Sequence, residues 1–239
     1  MPALGVAWYG TGYGPDGTIW GGEFFRVNAE NVQRVAHLRP FRLPGGDKAV
    51  KEPRRAALGL LFELYGEAAF EMEHLPPLRE MPPVEMITLR GMLQRQFNSP
   101  LTSSVGRLFD VVAALVNLRQ QMHFEGQAAM ELEFAMAGFN TEARYHLPLF
   151  SGPGAFVVDW SLMIHDILAD VNGGVSVPEI SAKFHNALAE SIVDVAKKTG
   201  LVRVALSGGC FQNGYLTERV HHRGRFADGN LVARGLFHA

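Results

Sequence analysis

The sequence predicts a mixed α/β domain, and three features of the chain predict it. The N-terminal stretch alternates apolar and polar residues around glycine-rich punctuation, which is how strands and turns read. The middle repeats apolar residues at helical spacing. Near the C-terminus a short apolar run, Val202–Ala205, meets Ser207-Gly208-Gly209 and then a helical segment, Gly214–Val220.

Each element follows from local chemistry. Leu4–Trp8, Thr18–Arg26 and Val32–Leu38 are rich in β-branched and aromatic residues and read as an antiparallel meander. Between the first two lies AWYGTGYGPDGTIWGGE (Ala7–Glu23), which contains six glycines. A plain hairpin turn needs one or two. The longer glycine stretch has two readings, a bulged hairpin or a backbone kept bare where it approaches phosphate. Arg39–Lys48, with two prolines and Gly45-Gly46, is a loop. Ala49–Tyr65 is helical by period, with Pro53 near its first turn, where proline is tolerated. Leu75–Pro83 holds four prolines and reads as a connector. Val84–Phe97 is helical, and Thr102, Ser103 or Ser104 caps the next helix, Val105–Leu118. Gly126–Ala137 is a short helix, Phe139–Phe150 is irregular or extended, and Ala155–Trp160 is a strand followed by helix Ser161–Asp170. Pro178–Thr199 is a long amphipathic helix ended by Gly200.

Composition narrows the class. The chain has 239 residues, 47% of them apolar, enough for one large core. A formal net charge of −2 leaves no electrostatic footprint for nucleic acid or a membrane surface. One cysteine excludes an internal disulfide or a cysteine-rich metal site and suits a reducing cytoplasm. No apolar run reaches membrane-spanning length, and no basic-then-apolar leader opens the chain.

The Ser-Gly-Gly turn also has two readings. It is a tight strand-to-helix turn, or a place where a ligand's phosphate or ribose oxygens come close to bare backbone at Gly208 and Gly209, with the free N–H groups of the following helix aimed at them. Arg107 and Asp110 share one helix face. They form either a plain ion pair or a ligand contact, since an ionised carboxylate accepts from a ribose hydroxyl. Glu125 either complements a helix N-terminus or lies near a nucleoside. Asn213 is either a helix-start polar residue or an amide contact to the nucleotide. Cys210, at a helix start, is a weak candidate for a nucleophile.

In order along the chain stand GTGYGPDGTIWGGE (Gly10–Glu23), RPFRLPGGDKAVKEPRRAAL (Arg39–Leu58), TSSVGRLFDVVAAL (Thr102–Leu115), FEGQAAMELE (Phe124–Glu133), FHNALAE (Phe184–Glu190) and SGGCFQN (Ser207–Asn213). This series resembles the HypF family of carbamoyltransferases, in its TsaD-like catalytic domain, over most of residues 3–219. The resemblance implies the two-lobed fold shared by actin, sugar kinases and heat-shock ATPases. It implies an enzyme that makes carbamoyl-adenylate from carbamoyl phosphate and ATP and passes the carbamoyl group to the C-terminal cysteine of HypE during nickel-iron hydrogenase maturation. It places nucleotide contacts at Gly10, Thr11, Gly12, Gly106, Asp110, Glu125, Ser207, Gly208, Gly209 and Asn213, with Asp110 on the ribose.

The chain also departs from that pattern. Relatives carry a His-x-x-x-His metal motif upstream of the glycine-rich stretch, whereas none of the nine histidines here pairs at that spacing. Where relatives have a metal-ligating Asp before Gly-Thr-Gly, this chain has Tyr9, a poor ligand for a hard cation. Asp228, in Asp228-Gly229-Asn230, is the remaining candidate for the family's divalent iron or magnesium site. The expectation is therefore an incomplete HypF-like domain over residues 1–239 that binds nucleotide and has no tight catalytic metal site. The alternatives are a non-catalytic nucleotide-binding or scaffold remnant, a small-molecule O-carbamoyltransferase, or a TsaD-like tRNA-modifying enzyme. PGGDKAV and EGQAAMELE favour HypF over the last two.

Overall fold

In the computed structural model, which describes residues 1–79, 81–225 and 232–233, the N-terminal alternation becomes the centre of a mixed sheet. Strand β1 (Ala3–Trp8) turns Leu4, Val6 and Trp8 into the core, as its period of two requires. It pairs antiparallel with β2 (Gly22–Val27), from Ala3 opposite Val27 to Trp8 opposite Gly22. Strand β3 (Val32–Leu38) continues the meander, with a register shift at Phe24/Phe25. The second strand is shorter than its sequence suggests. Residues 18–21 leave the ladder, and Ile19 instead donates to the Leu101 carbonyl and accepts from the Ser103 N–H.

The small pair β4 (Phe41–Arg42) and β5 (Leu101–Thr102) forms a separate antiparallel ladder. Its first strand lies within the stretch expected to be loop. The main sheet is extended on one side by β6 (Leu149–Ser151), antiparallel to β7 (Phe156–Val158), which runs parallel to β3. On the other side, β8 (Arg203–Ser207) runs parallel to β1 and β9 (Val232–Ala233) parallel to β8. The seven strands stand in the order β6-β7-β3-β2-β1-β8-β9.

The expected first helix is two helices. Helix α1 (Asp47–Lys51) stops at Glu52, whose extended backbone is what a residue before proline prefers, and Pro53 opens α2 (Pro53–Tyr65). The proline-rich connector contains the single turn α3 (Pro76–Arg79), because its prolines sit at the helix start, where a missing N–H costs nothing. Then come α4 (Pro83–Gln94) and α5 (Val105–Leu115). Ser104 is the cap of α5, accepting from the Arg107 N–H. After it follow α6 (Gln127–Ala135), α7 (Ser161–Asn172), α8 (Val177–Thr199) and α9 (Gly214–Arg225). Gly200 closes α8 in the left-handed conformation.

Helix α5 is buried on every side, including Arg107 and Asp110, and packs against α2 and α6. Helix α8 packs against α6 and α9. Trp8 ties the sheet to the Ser207–Asn213 turn, its ring stacked 5.4 Å from Phe211. Among the described residues no helix is long and apolar enough to cross a membrane.

Candidate functional site

Parallel strands β1 and β8 end side by side, with Ala7 opposite Ser207, and each runs directly into a glycine-rich turn. Such strand ends are where open α/β sheets leave a crevice. Here α5 and the start of α6 complete it, giving a cleft of about 390 Å³. Gly10, Gly106, Asp110, Glu125 and Gly209 all line this cleft, with Arg107, Cys210 and Gln212. A larger groove of about 620 Å³ lies between α3 and α4, lined mainly by Phe70, Leu78, Met81 and Met86. The smaller cleft is the better candidate because a buried carboxylate faces it.

That carboxylate is Asp110, only 2% exposed. Its Oδ2 lies 2.8 Å from Arg107 Nη1 in an ion pair but accepts no aligned hydrogen bond within the chain, while Nη1 also donates to the Val50 carbonyl at 2.9 Å. A buried acceptor without a donor is costly unless a ligand supplies one. Burial pushes the Asp110 carboxyl up to about 7, against the opposing pull of Arg107 and with help from the Glu125 charge. Burial also pushes the Cys210 thiol up to about 12. At neutral pH it is therefore a thiol and not a nucleophilic thiolate.

The glycines divide by role. Gly106 allows α5 to cross the first turn closely, for a Cβ there would sit 2.8 Å from Gly10 Cα. At Gly208, with φ +105°, a Cβ would lie 2.0 Å from the Trp8 carbonyl oxygen, so the fold itself requires glycine here. Gly209 has open space where its Cβ would be. Gly208→Ala is accordingly expected to lower the melting temperature strongly. Gly209→Ala should leave it nearly unchanged and act on the cleft alone. Thermal unfolding of the two variants side by side checks this, and equal losses would show that both glycines are structural.

Other expected contacts lie elsewhere. Thr11, Gly12, Ser207, Gly208 and Asn213 do not line the cleft. The Gly12 backbone packs on the Tyr9 ring. Asn213 is buried, donates to His185 Nε2 at 3.0 Å and accepts from the Leu216 N–H, so it is a helix cap with a buried partner. The α9 N-terminus is not free to hold an anion. Glu133 Oε1 already accepts from the Gly214 and Tyr215 N–H groups, at 2.8 and 3.2 Å. A short helical turn, Gly209–Gln212, also separates the glycine pair from α9. Asp228 lies outside the described residues.

The local sequence concealed a second group of residues. Glu23 is fully buried and accepts from the Gly21 and Gly22 N–H groups, the Ser103 hydroxyl and Arg34. Burial raises its carboxyl, and the donors from Ser103, Gly21 and Arg34 oppose that rise. Arg34 also pairs with Asp16 and stacks over Trp20 at 4.2 Å. Ser104 Oγ donates toward the Tyr9 and Gly10 carbonyls, at 2.6 and 2.9 Å. Together these contacts fasten the Tyr9–Gly22 loop against the start of α5. A Glu after two glycines is the one local sign of this arrangement, and it becomes readable only once its donors are known. Among the described residues no three His, Cys, Asp or Glu side chains gather to hold a metal ion. Tyr9 presents a phenol, a poor ligand for a hard cation.

A family model described as the second subdomain of the carbamoyltransferase Kae1-like domain matches residues 5–233. The HypF carbamoyltransferase of a Synechocystis species is 42% identical over 226 residues, covering 89% of this chain and 29% of that protein. A HypF homologue from Cupriavidus necator is 36% identical over 251 residues, covering 98% of this chain and 59% of its own length. Among solved structures, a full-length HypF in the phosphate- and nucleotide-bound form superposes with a TM-score of 0.87 at 35% identity, covering 98% of this chain and 36% of that one. HypF from T. kodakarensis superposes with a TM-score of 0.82 at 30% identity, covering 98% and 31%. Like these relatives in sequence and fold, but spanning from 29% to 59% of their length, the chain belongs to the HypF carbamoyltransferase family.

Proposed function

We propose that this chain is the nucleotide-binding part of a carbamoyltransferase that uses ATP and carbamoyl phosphate to form carbamoyl-adenylate and passes the carbamoyl group to a HypE-like acceptor cysteine. The observation that carries the nucleotide part is the convergence of Gly10, Asp110, Glu125 and Gly209 on one cleft, with the Asp110 Oδ2 lacking a donor. A related full-length HypF has been solved in a phosphate- and nucleotide-bound form, which supports a nucleotide as the kind of ligand. In this reading a ribose hydroxyl donates to Asp110. The bare backbone at Gly209 approaches phosphate oxygens, and Arg107 supplies fixed positive charge beside them. In adenylate formation, carbamoyl phosphate is hydrolysed to carbamate and phosphate, and a carbamate oxygen attacks the α-phosphate of ATP as the bond to the β-phosphate breaks and pyrophosphate leaves. This depends on positioning and charge neutralisation and needs no protein nucleophile.

The donor set favours one further reading, nucleotide binding without turnover, since Tyr9 replaces the expected carboxylate and no cluster of metal-binding side chains forms among the described residues. Two measurements separate these readings. Calorimetry should detect ATP or AMP binding, and Asp110→Ala should weaken it by about 1–3 kcal/mol, the usual effect of losing a charge-assisted hydrogen bond. Unchanged affinity removes Asp110 from the ribose. Exchange of pyrophosphate into ATP, dependent on carbamoyl phosphate, should be weak or absent in this chain with added magnesium or iron. Tyr9→Asp alone should not restore it. Robust exchange would show that the chemistry does not need the family's metal donors.

A further inference from the structure

His185 stands at the middle of α8, fully buried and not among the residues that line the cleft. Its Nδ1 lies 2.7 Å from the Ser181 carbonyl oxygen, one helical turn back. A carbonyl can only accept, so Nδ1 carries the proton and Nε2 presents a bare lone pair. That lone pair receives the Asn213 Nδ2 donor at 3.0 Å. The assignment of the amide is fixed independently, because its oxygen accepts from the Leu216 N–H at 2.8 Å. Every polar atom of the pair thus has a single consistent role. On its other side the imidazole meets the Phe109 ring edge-on at 5.3 Å, and Phe109 is the neighbour of Asp110 on α5.

One buried side chain therefore contacts residues that adjoin both walls of the cleft. It reaches the Gly209–Gln212 wall through Asn213 and the α5 wall through Phe109. We propose that His185 is a positioning residue that sets the distance between the glycine turn and Asp110 through the Asn213 bond. The inference rests on the nucleotide reading only for its effect on affinity. The lock itself concerns the turn. Its neutral imidazole agrees with the direction of burial, which pushes the ring down to about 4.

The test uses the full chain and variants that break the same bond from either end. His185→Phe keeps an aromatic ring against Phe109 but removes the acceptor. Asn213→Ser keeps a good helix cap but removes the donor. His185→Gln restores an acceptor at the Nε2 position. Hydrogen exchange of the Phe211 and Asn213 amides, which bond to the Gly208 and Cys210 carbonyls, reads the turn directly. Both bond-breaking variants should speed that exchange, the double variant should add little to either, and His185→Gln should return it toward wild type. ATP affinity should fall by about fivefold or more in the same two variants and recover in His185→Gln. Wild-type exchange rates in Asn213→Ser, or a His185→Gln variant as loose as His185→Phe, would overturn the lock. Loosened exchange with no ATP binding by any form, wild type included, would leave the lock standing and overturn the nucleotide reading instead.

Discussion

Asp110→Ala is expected to lower the unfolding free energy by about 3–5 kcal/mol, the cost of stranding one partner of a buried ion pair. Arg107 is 3% exposed and would keep its charge, because a guanidinium does not deprotonate in proteins. Arg107→Met should cost less. The carboxyl it abandons is already raised to about 7 and can take up a proton. Urea denaturation near neutral pH reads both. Equal losses would show that Arg107 is better solvated than its burial indicates.

The same pair gives the stability profile a hidden slope. The Asp110 carboxyl is raised from 3.8 to about 7, so the folded protein holds that proton more tightly than the unfolded chain does. The stability this contributes is present below about pH 4 and is lost as pH rises toward 7. His185 is lowered from 6.5 to about 4, so its contribution is present above about pH 6.5 and is lost as pH falls through 4. The two slopes are opposite and overlap, and in wild type they offset. Asp110→Asn removes one of them. Its stability should climb from about pH 4 to 6.5 more steeply than that of wild type.

Glu23→Ala is expected to be comparably damaging, at about 3–5 kcal/mol, since it strands the buried donors and the Arg34 charge together. Glu23→Gln should not rescue it. Both carboxylate oxygens accept here, and an amide offers one acceptor and turns a donor toward donors. The loss should appear as faster exchange or proteolysis at the Tyr9–Gly22 loop before global unfolding. A variant with full stability and a protected loop would show that the Ser104 contacts alone hold it.

The legible parts of this fold were those with strong short-range pattern. The period-two burial of β1, the long amphipathic α8 and its Gly200 stop follow directly from side-chain spacing. The break at Glu52–Pro53 was missed because an apolar period runs through it, although the constraint proline places on its predecessor could have revealed it. The β4–β5 pair was hidden because two-residue strands have no period. At the site, Asp110 and Glu125 stood in recognisable motifs. Asn213 and the α9 N-terminus stay ambiguous in the sequence because their partners, His185 and Glu133, lie 28 and 81 residues away. Local sequence shows that a donor exists and says nothing of what will satisfy it.

The pairing of β1 with β8, Leu4 beside Val204, also fixes when the cleft can exist during synthesis. The β1–β2–β3 meander can zip as soon as its short turns emerge, but the other edge of β1 waits for a strand 200 residues later. At about 5–20 residues per second that is roughly 10–40 s with an open ladder in the middle of the eventual sheet. An unpaired edge is a template for wrong partners. No ligand of this cleft can shield it, because Gly209 is made after β8. Binding can reward only the finished chain, and the nascent one depends on covering β1 by other means.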